Sequence, residues 1–248
     1  MKPEQSFADW VQSLQVQSIA VVGAGGKSTV LRVLARDLPR PVWLTTTTHL
    51  GSEQVNLAPR HMVGLPSLSE LPELGLGSVL YTGTKDPAGK WTALPNDALE
   101  TLWGYSKVCS ATLVIEADGS KGRPLKAPAA YEPAIPAWVE GVLVVAGLSG
   151  LGKPLNHRTV HRPEFFSALS GLKEGEIITL AHLSRVLSSK GGGRKNIPAA
   201  ARSAVVLNQR DAAGLSDEEL AELKTSLIKA GFVSVWSGSL LRELEASG

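Results

Sequence analysis

The residues whose chemistry is clearest stand at 23–29, Gly-Ala-Gly-Gly-Lys-Ser-Thr, directly after the apolar run Ser18–Val22. Gly23, Gly25 and Gly26 reach backbone angles closed to other residues, so that with Ala24 they can turn successive N–H groups onto phosphate oxygens. Lys27 would place a point charge on the terminal phosphates. Ser28 or Thr29 would offer a hydroxyl to Mg²⁺ at the start of a helix whose dipole favours anions. The spacing G-x-x-G-K-S is shorter than the common G-x-x-x-x-G-K-S/T, which would need glycine where Val21 stands. A glycine-rich strand-to-helix turn and a dinucleotide fingerprint are the alternatives, but the fingerprint needs a third glycine where Lys27 and Ser28 fall. Binding of a mononucleotide, GTP or ATP, with Mg²⁺ is the expectation. The shorter loop is closer to the ATP loop of the Mur-type peptide ligases than to that of Ras-like proteins.

Magnesium requires hard oxygen ligands. Leu113-Val114-Ile115-Glu116 is an apolar strand ending in a carboxylate, and strand alternation sends Glu116 and Asp118 to the same side. These two carboxylates, with Lys27, are the expected catalytic groups; the alternative is that they cap a turn at Gly119. Thr47 and Thr48, at the end of the run Thr45–Thr48, are expected near Mg²⁺ or the γ-phosphate, so the metal set reads Ser28, Thr47 and Glu116. His49 beside them reads either as an acid or base or as a hydrogen-bonded bystander.

A second signal is Val205-Val206-Leu207 followed by Asn208-Gln209-Arg210-Asp211. A strand ending in N-K-x-D reads guanine in many GTPases, and here Gln209 replaces the lysine. Asn208 and Asp211 are therefore expected to recognise the base, tilting the reading toward GTP, against the alternative of a plain turn. Lys121, Arg123 and Lys126, with Arg158 and Arg162, are expected to contact an anionic second substrate or phosphate. His157 and His161 are four apart, a spacing that on a helix would suit a transition metal, but no third ligand is evident. Arg194 and Lys195 follow Gly191–Gly193 and read otherwise as solvated loop.

Positioning these groups takes a sheet with its strand ends on one edge. Apolar strands at Ser18–Val22, Pro41–Thr46, Thr112–Glu116, Val142–Ala146 and Ala204–Leu207 alternate with helical stretches. That pattern indicates a parallel sheet covered on both faces. The expected fold is α/β, a P-loop NTPase-like three-layer αβα sandwich in a single domain spanning 1–248. Helices are expected at Phe7–Leu14, Ser28–Leu38, about Leu68–Leu74, Asn96–Ser106, Pro163–Leu169, Ala181–Leu187, from Ser216 to Ala230 and at Leu240–Glu245. Short strands are expected at His61–Gly64 and Phe232–Val235. Residues 77–94 read as a β-hairpin insertion that decorates the main sheet, and 118–136 as a long functional loop.

Composition is consistent with this. At 43% hydrophobic over 248 residues the chain can bury a full core. Its formal charge of +2, from 25 basic and 23 acidic residues, gives no global field for nucleic acid or anionic membrane. No run of eighteen apolar residues is present, and Met1–Gln17 is polar and amphipathic, so a soluble, cytoplasmic protein is expected. The single cysteine, Cys109, rules out an internal disulfide and reads as a small core residue.

Five motifs taken together, Gly23-Ala-Gly-Gly-Lys-Ser28, Thr45-Thr-Thr-Thr-His49, Glu116-Ala-Asp-Gly-Ser-Lys-Gly-Arg-Pro-Leu-Lys-Ala-Pro128, His161-Arg-Pro-Glu164 and Asn208-Gln-Arg-Asp211, resemble the YqeC family over nearly the whole chain. The E-A-D-G-S-K-G block is the most specific of them. Ser28 stands where threonine is common, a swap that keeps the hydroxyl. The resemblance implies a nucleotide-binding accessory factor in maturation of a selenium-containing molybdenum hydroxylase cofactor, as an NTPase or as a phosphoryl or nucleotidyl transferase. It also implies a molybdopterin-type cofactor or selenophosphate as second ligand. The alternative is a non-catalytic, nucleotide-switched chaperone delivering cofactor to the apo-hydroxylase.

Overall fold

The computed structural model describes residues 5–39, 41–74 and 77–246. In chain order its elements are α1 (Phe7–Gln12), β1 (Ser18–Gly23), α2 (Lys27–Asp37), β2 (Val42–Thr46), β3 (Arg60–Val63), α3 (Leu71–Leu74), β4 (Val79–Thr82), α4 (Asn96–Val108) and β5 (Thr112–Glu116). There follow β6 (Leu125–Lys126), β7 (Gly141–Gly147), β8 (Val160–His161), α5 (Pro163–Ser170), α6 (Leu180–Ser188), β9 (Arg202–Asn208), α7 (Asp217–Lys229), β10 (Ser234–Ser237) and α8 (Leu240–Ala246). Eight strands form one sheet in the order β10-β9-β7-β1-β5-β2-β4-β3, every neighbouring pair parallel. This is the expected α/β three-layer architecture.

The burial pattern explains why these segments are strands. β2, β4, β5 and β7 are buried at every position, as strands covered on both faces must be. Their side chains divide by alternation between two cores. Val21, Leu44, Val114 and Leu143 meet Val30, Leu31 and Leu34 of α2, together with α1 and Leu240 of α8. Val22, Trp43, Ile115 and Val144 meet Leu102 of α4, Phe166 of α5, Leu183 of α6 and Leu223 of α7. Each fully buried Leu, Val or Phe stabilises the fold by about 1.5–3 kcal/mol.

Because all pairings are parallel, the C-terminal strand ends share one edge. β1 sits between β5 and β7, with the registers Val21↔Glu116 and Gly23↔Val145. The chain first builds outward from β1 through β2 to β3, then returns to place β5 and β7 on either side of it. Such a reversal beside a central strand opens a crevice where α/β proteins bind ligands.

Three expectations need correction. Val79–Thr82 is not part of an appended hairpin over 77–94; it is an inner strand pairing with β2 and β3. The antiparallel ladder begins only at Gly83, whose N–H reaches Thr92 O at 2.9 Å, while Thr92 N–H returns to Thr84 O at 3.0 Å. Helix α3 is one turn, Leu71–Leu74, shorter than 68–74. The last strand starts at Ser234 rather than Phe232, whose ring is buried instead in the core beneath α7. The 118–136 segment is irregular as expected, apart from β6, which pairs with β8.

Candidate functional site

The turn from β1 into α2 is tight enough to demand glycine. At Gly25 (φ +85°) an added Cβ would lie 2.2 Å from Gly147 N, and at Gly26 (φ +120°) 2.3 Å from Asn208 Nδ2. The loop's amides are not all directed as the sequence suggests. Gly23 N–H donates to both oxygens of Asp118 at 3.1 and 3.0 Å, Ala24 N–H to Val145 O at 2.9 Å and Gly25 N–H to Arg123 O at 3.0 Å. The protein itself satisfies the first half of the loop. The first helical bond closes at Val30 N–H to Gly26 O, 3.0 Å. Among the described residues, the N–H groups of Gly26, Lys27, Ser28 and Thr29 have no acceptor, so the donors still free to bind an anion belong to the second half.

Lys27 is buried, 4% exposed. Its ammonium donates to Gly23 O at 2.8 Å and lies 3.2 Å from Asp118 Oδ1 and 3.8 Å from Glu116 Oε1. Alternation along β5 and past its end thus brings Glu116 and Asp118 to the lysine, as expected. Asp118 Oδ2 lies 2.9 Å from Lys126 Nζ, which is also 2.7 Å from Glu132 Oε2, and Glu132 pairs in turn with Arg162. Six charges of alternating sign, Glu116, Lys27, Asp118, Lys126, Glu132 and Arg162, run from the glycine turn to the start of α5.

The two ends of this chain differ electrostatically. Burial pushes the Glu116 carboxyl above the ordinary carboxylate range, against the pull of Lys27. Burial acts in the same direction on Glu132, but hydrogen bonds from Arg162 and Lys126 outweigh it and bring that carboxyl down to about 2. His161, beside them, is held down at about 4 by burial and then by Arg162 and Lys126.

One donor bridges the metal candidates. Gln54 Nε2 lies 3.3 Å from Ser28 Oγ and 3.2 Å from Glu116 Oε2. Two hard oxygens thus converge on one hydrogen-bond donor as they would on a cation, so Ser28 and Glu116 fit a Mg²⁺ site. Thr47 does not join them: its hydroxyl donates to Ala134 O at 2.8 Å, and it lines a separate cavity with Ile135 and Trp138. Thr46 Oγ1 donates to Glu116 O at 3.0 Å and lies 3.1 Å from Thr48 Oγ1. The Thr46 and Thr47 hydroxyls serve the backbone at the strand ends, whereas the buried Thr45 hydroxyl has no partner among the described residues.

The cleft over the cradle encloses about 700 Å³. Of the residues expected to contact a second substrate, Lys121 and Arg123 line it, together with Arg32, His49, Glu53 and Lys90. Lys126 does not, since its side chain is 2% exposed and fully engaged. Arg162 is spent on Glu132 and Tyr131. Arg158 stands exposed in the turn after Asn156, away from the cleft lining. His49 pairs with Asp86 at 3.6 Å.

The Asn208–Asp211 corner also differs from expectation. Asn208 is buried; its Nδ2 donates to Gly25 O at 2.8 Å and its Oδ1 accepts from Leu240 N–H at 3.0 Å. Asp211 accepts from Ser239 Oγ at 2.5 Å and lies 3.2 Å from Arg242. Both side chains tie the cradle or the β9 end to α8, and neither lines the cleft over the cradle. His157 and His161 share no helix, one lying in a turn and the other in β8. Among the described residues no group of three His, Cys, Asp or Glu is placed to hold a metal. Lys195 caps Ala129 O and Arg194 caps Ala230 O, so these cations serve the structure. Among the described residues no helix is long and apolar enough to cross a membrane.

Two site residues escape a sequence reading. Gln54 sits 62 positions from Glu116 and belongs to no recognisable motif. Glu132 lies in aperiodic loop, and its only signal is an acid inside the segment already singled out for its lysines.

Comparison with known proteins agrees with the resemblance seen in the motifs. The family model described as YqeC protein matches residues 19–164. A protein of Escherichia coli (strain K12), named "Uncharacterized protein YqeC", is 32% identical over 197 residues, covering 77% of this chain and 75% of its own. No solved structure matches. The matched region holds the cradle, both carboxylates, the 118–136 loop and Arg162 at the start of α5, and the chain belongs to the YqeC family.

Proposed function

We propose that the cleft binds a Mg²⁺-bound nucleoside triphosphate and that the protein is an NTPase or phosphoryl transferase. The observation that carries this reading is the convergence at the head of α2. Four N–H groups without acceptors, the Lys27 ammonium and the Ser28–Glu116 oxygen pair all meet at the end of β1. Ser28 and Glu116 would hold Mg²⁺, which would supply neutralisation of phosphate charge. Lys27 would trade its Gly23 and Asp118 contacts for a phosphate oxygen, and the Gly26–Thr29 amides would orient the tail. Asp118, released from Lys27, would stay fixed by Gly23 N–H and Lys126, placed to order an attacking group.

Recognition would rest on the phosphates. Asn208 and Asp211 are already bonded within the protein, so GTP and ATP should bind within about tenfold of each other, a free-energy difference of under about 1.4 kcal/mol. Calorimetric titration of the protein with each nucleotide and Mg²⁺ tests this; no heat with either nucleotide would reject the reading. The setting of this activity, maturation of a selenium-containing molybdenum hydroxylase cofactor in the cytoplasm, is taken from the family resemblance.

A second reading, a nucleotide-switched chaperone for the apo-hydroxylase, is favoured by the alternating charge chain. A phosphate that draws Lys27 from Asp118 would leave Lys126 to rebalance between Asp118 and Glu132 of the loop, and so reach Arg162 at the start of α5. Slow hydrolysis accelerated by the client protein would support it, and steady turnover without a client would reject it.

A further inference from the structure

The rim of the cleft carries charges that the cradle does not use. Arg32 of α2, Lys90 of the 83–92 hairpin, and Lys121 and Arg123 of the loop after β5 all line it. Among the described residues none of these four side chains has an ion pair or a hydrogen bond, and one exposed carboxylate, Glu53, shares the rim with them. The interior chain of six is neutral, three cations against three carboxylates. With His49 neutral and Asp86, which accepts from Lys90 N–H, counted beside Glu53, the rim holds a surplus of two positive charges, as large as the formal charge of the whole protein, +2. The Gly26–Thr29 amides, Lys27 and the Ser28–Glu116 pair already make up the set that would hold a Mg²⁺-bound triphosphate, and the rim cations stand outside that set.

These cations stand on fixed supports. Ser120–Arg123 is a tight turn, closed by Arg123 N–H to Ser120 O at 3.1 Å, with Lys121 (φ +49°) and Gly122 (φ +69°) both left-handed. Its Arg123 carbonyl accepts from Gly25 N–H, which locks the turn to the cradle. Lys90 is set by paired bonds to Asp86, its N–H donating to Oδ1 at 2.9 Å and its carbonyl accepting from Asp86 N–H at 2.8 Å. Clustered like charges on rigid turns repel one another unless a ligand supplies the countercharge.

We propose that the cleft holds two anionic ligands at once, with a phosphate-bearing small molecule seated between Lys90, Lys121 and Arg123 beside the nucleotide. This inference rests on the nucleotide reading above for the identity of the first ligand. The shared chemistry is a phosphate dianion, either free or as a phosphomonoester.

The test is calorimetric, on the full chain. Nucleotide binding is titrated first, using a non-hydrolysable triphosphate analogue with Mg²⁺; failure at this step rejects the nucleotide reading alone. Inorganic phosphate, and separately glycerol 3-phosphate, are then titrated into the protein with and without saturating analogue. The proposal expects at least one of them to bind the loaded protein without displacing the analogue. In Lys90→Ala/Lys121→Ala that affinity should fall more than tenfold, while analogue affinity falls less than threefold. Binding of the ester alone would identify a phosphomonoester as the second ligand. Competition between phosphate and the analogue, equal losses of both affinities in the variant, or no binding of either probe would overturn the proposal.

Discussion

Inside the cradle and at its rim, the same residue types behave in opposite ways. Lys27 and Lys126 are buried and spend their charge on Glu116, Asp118 and Glu132. Lys90 and Lys121, at the mouth of the same cleft, pair with nothing among the described residues. Burial dictates the difference, because a charge taken out of water must find a partner, whereas an exposed one is hydrated and remains available. Interior cations therefore fix the loop that shapes the cleft, and rim cations keep their charge free at its mouth.

The strongest challenge to this contrast is Lys126→Met. It strands Asp118 and Glu132 beside a vacated cation, so unfolding free energy should fall by about 3–5 kcal/mol. A urea titration in which the variant matched the wild type would show that the interior chain does not hold the 118–136 loop. Next in size is Asn208→Ala, which removes the donor to Gly25 O and the acceptor for Leu240 N–H. A loss of about 1–3 kcal/mol is expected, with the ratio of GTP to ATP affinity unmoved. A change in that ratio without a change in stability would restore the base-reading role.

Acid should expose the interior chain through its titration. Glu132 is held at about 2 against an ordinary 4.5, so its stabilisation is complete above pH 4.5 and is lost as pH falls toward 2. His161 is held at about 4 against 6.5, so protonation penalises the fold as pH drops from 6.5 to 4. Glu116, shifted upward, acts the other way and softens the decline. The Tm should thus fall from pH 6.5 downward, and His161→Gln should flatten the upper part of the curve; an unaltered curve in that variant would contradict the assignment. The smallest effect belongs to the rim: Lys90→Met should move unfolding free energy by no more than about 0.5 kcal/mol. A loss comparable to that of Lys126→Met would erase the distinction between the two regions.

Much of this was legible in the residues because local rules govern it. The apolar strand, glycine turn and Lys-Ser pair define β1, the cradle and α2 without reference to anything distant, and alternation alone carries Glu116 and Asp118 to one side. What escaped depends on contacts between remote segments. Gln54 reaches the site from a 3₁₀ helix, Ser52–Leu57, after β2, and the hydroxyls of Thr46 and Thr47 are consumed by carbonyls that the sequence does not show to be near. Asn208 and Asp211 carry the residue types of a base reader, yet α8 supplies partners that make them struts. Val79–Thr82 was legible as a strand, but its short downstream hairpin obscured its place inside the parallel sheet.

The account turns on Lys27 at the head of α2, and one titration tests it most directly. Wild type and Lys27→Met, each first confirmed folded by its circular dichroism spectrum, are titrated calorimetrically with Mg²⁺ and GTP or ATP. Saturable binding by the wild type and a loss of at least about a hundredfold in the variant, some 2.7 kcal/mol, is the predicted result. Equal affinity in the two proteins, or no binding by the wild type, would contradict it.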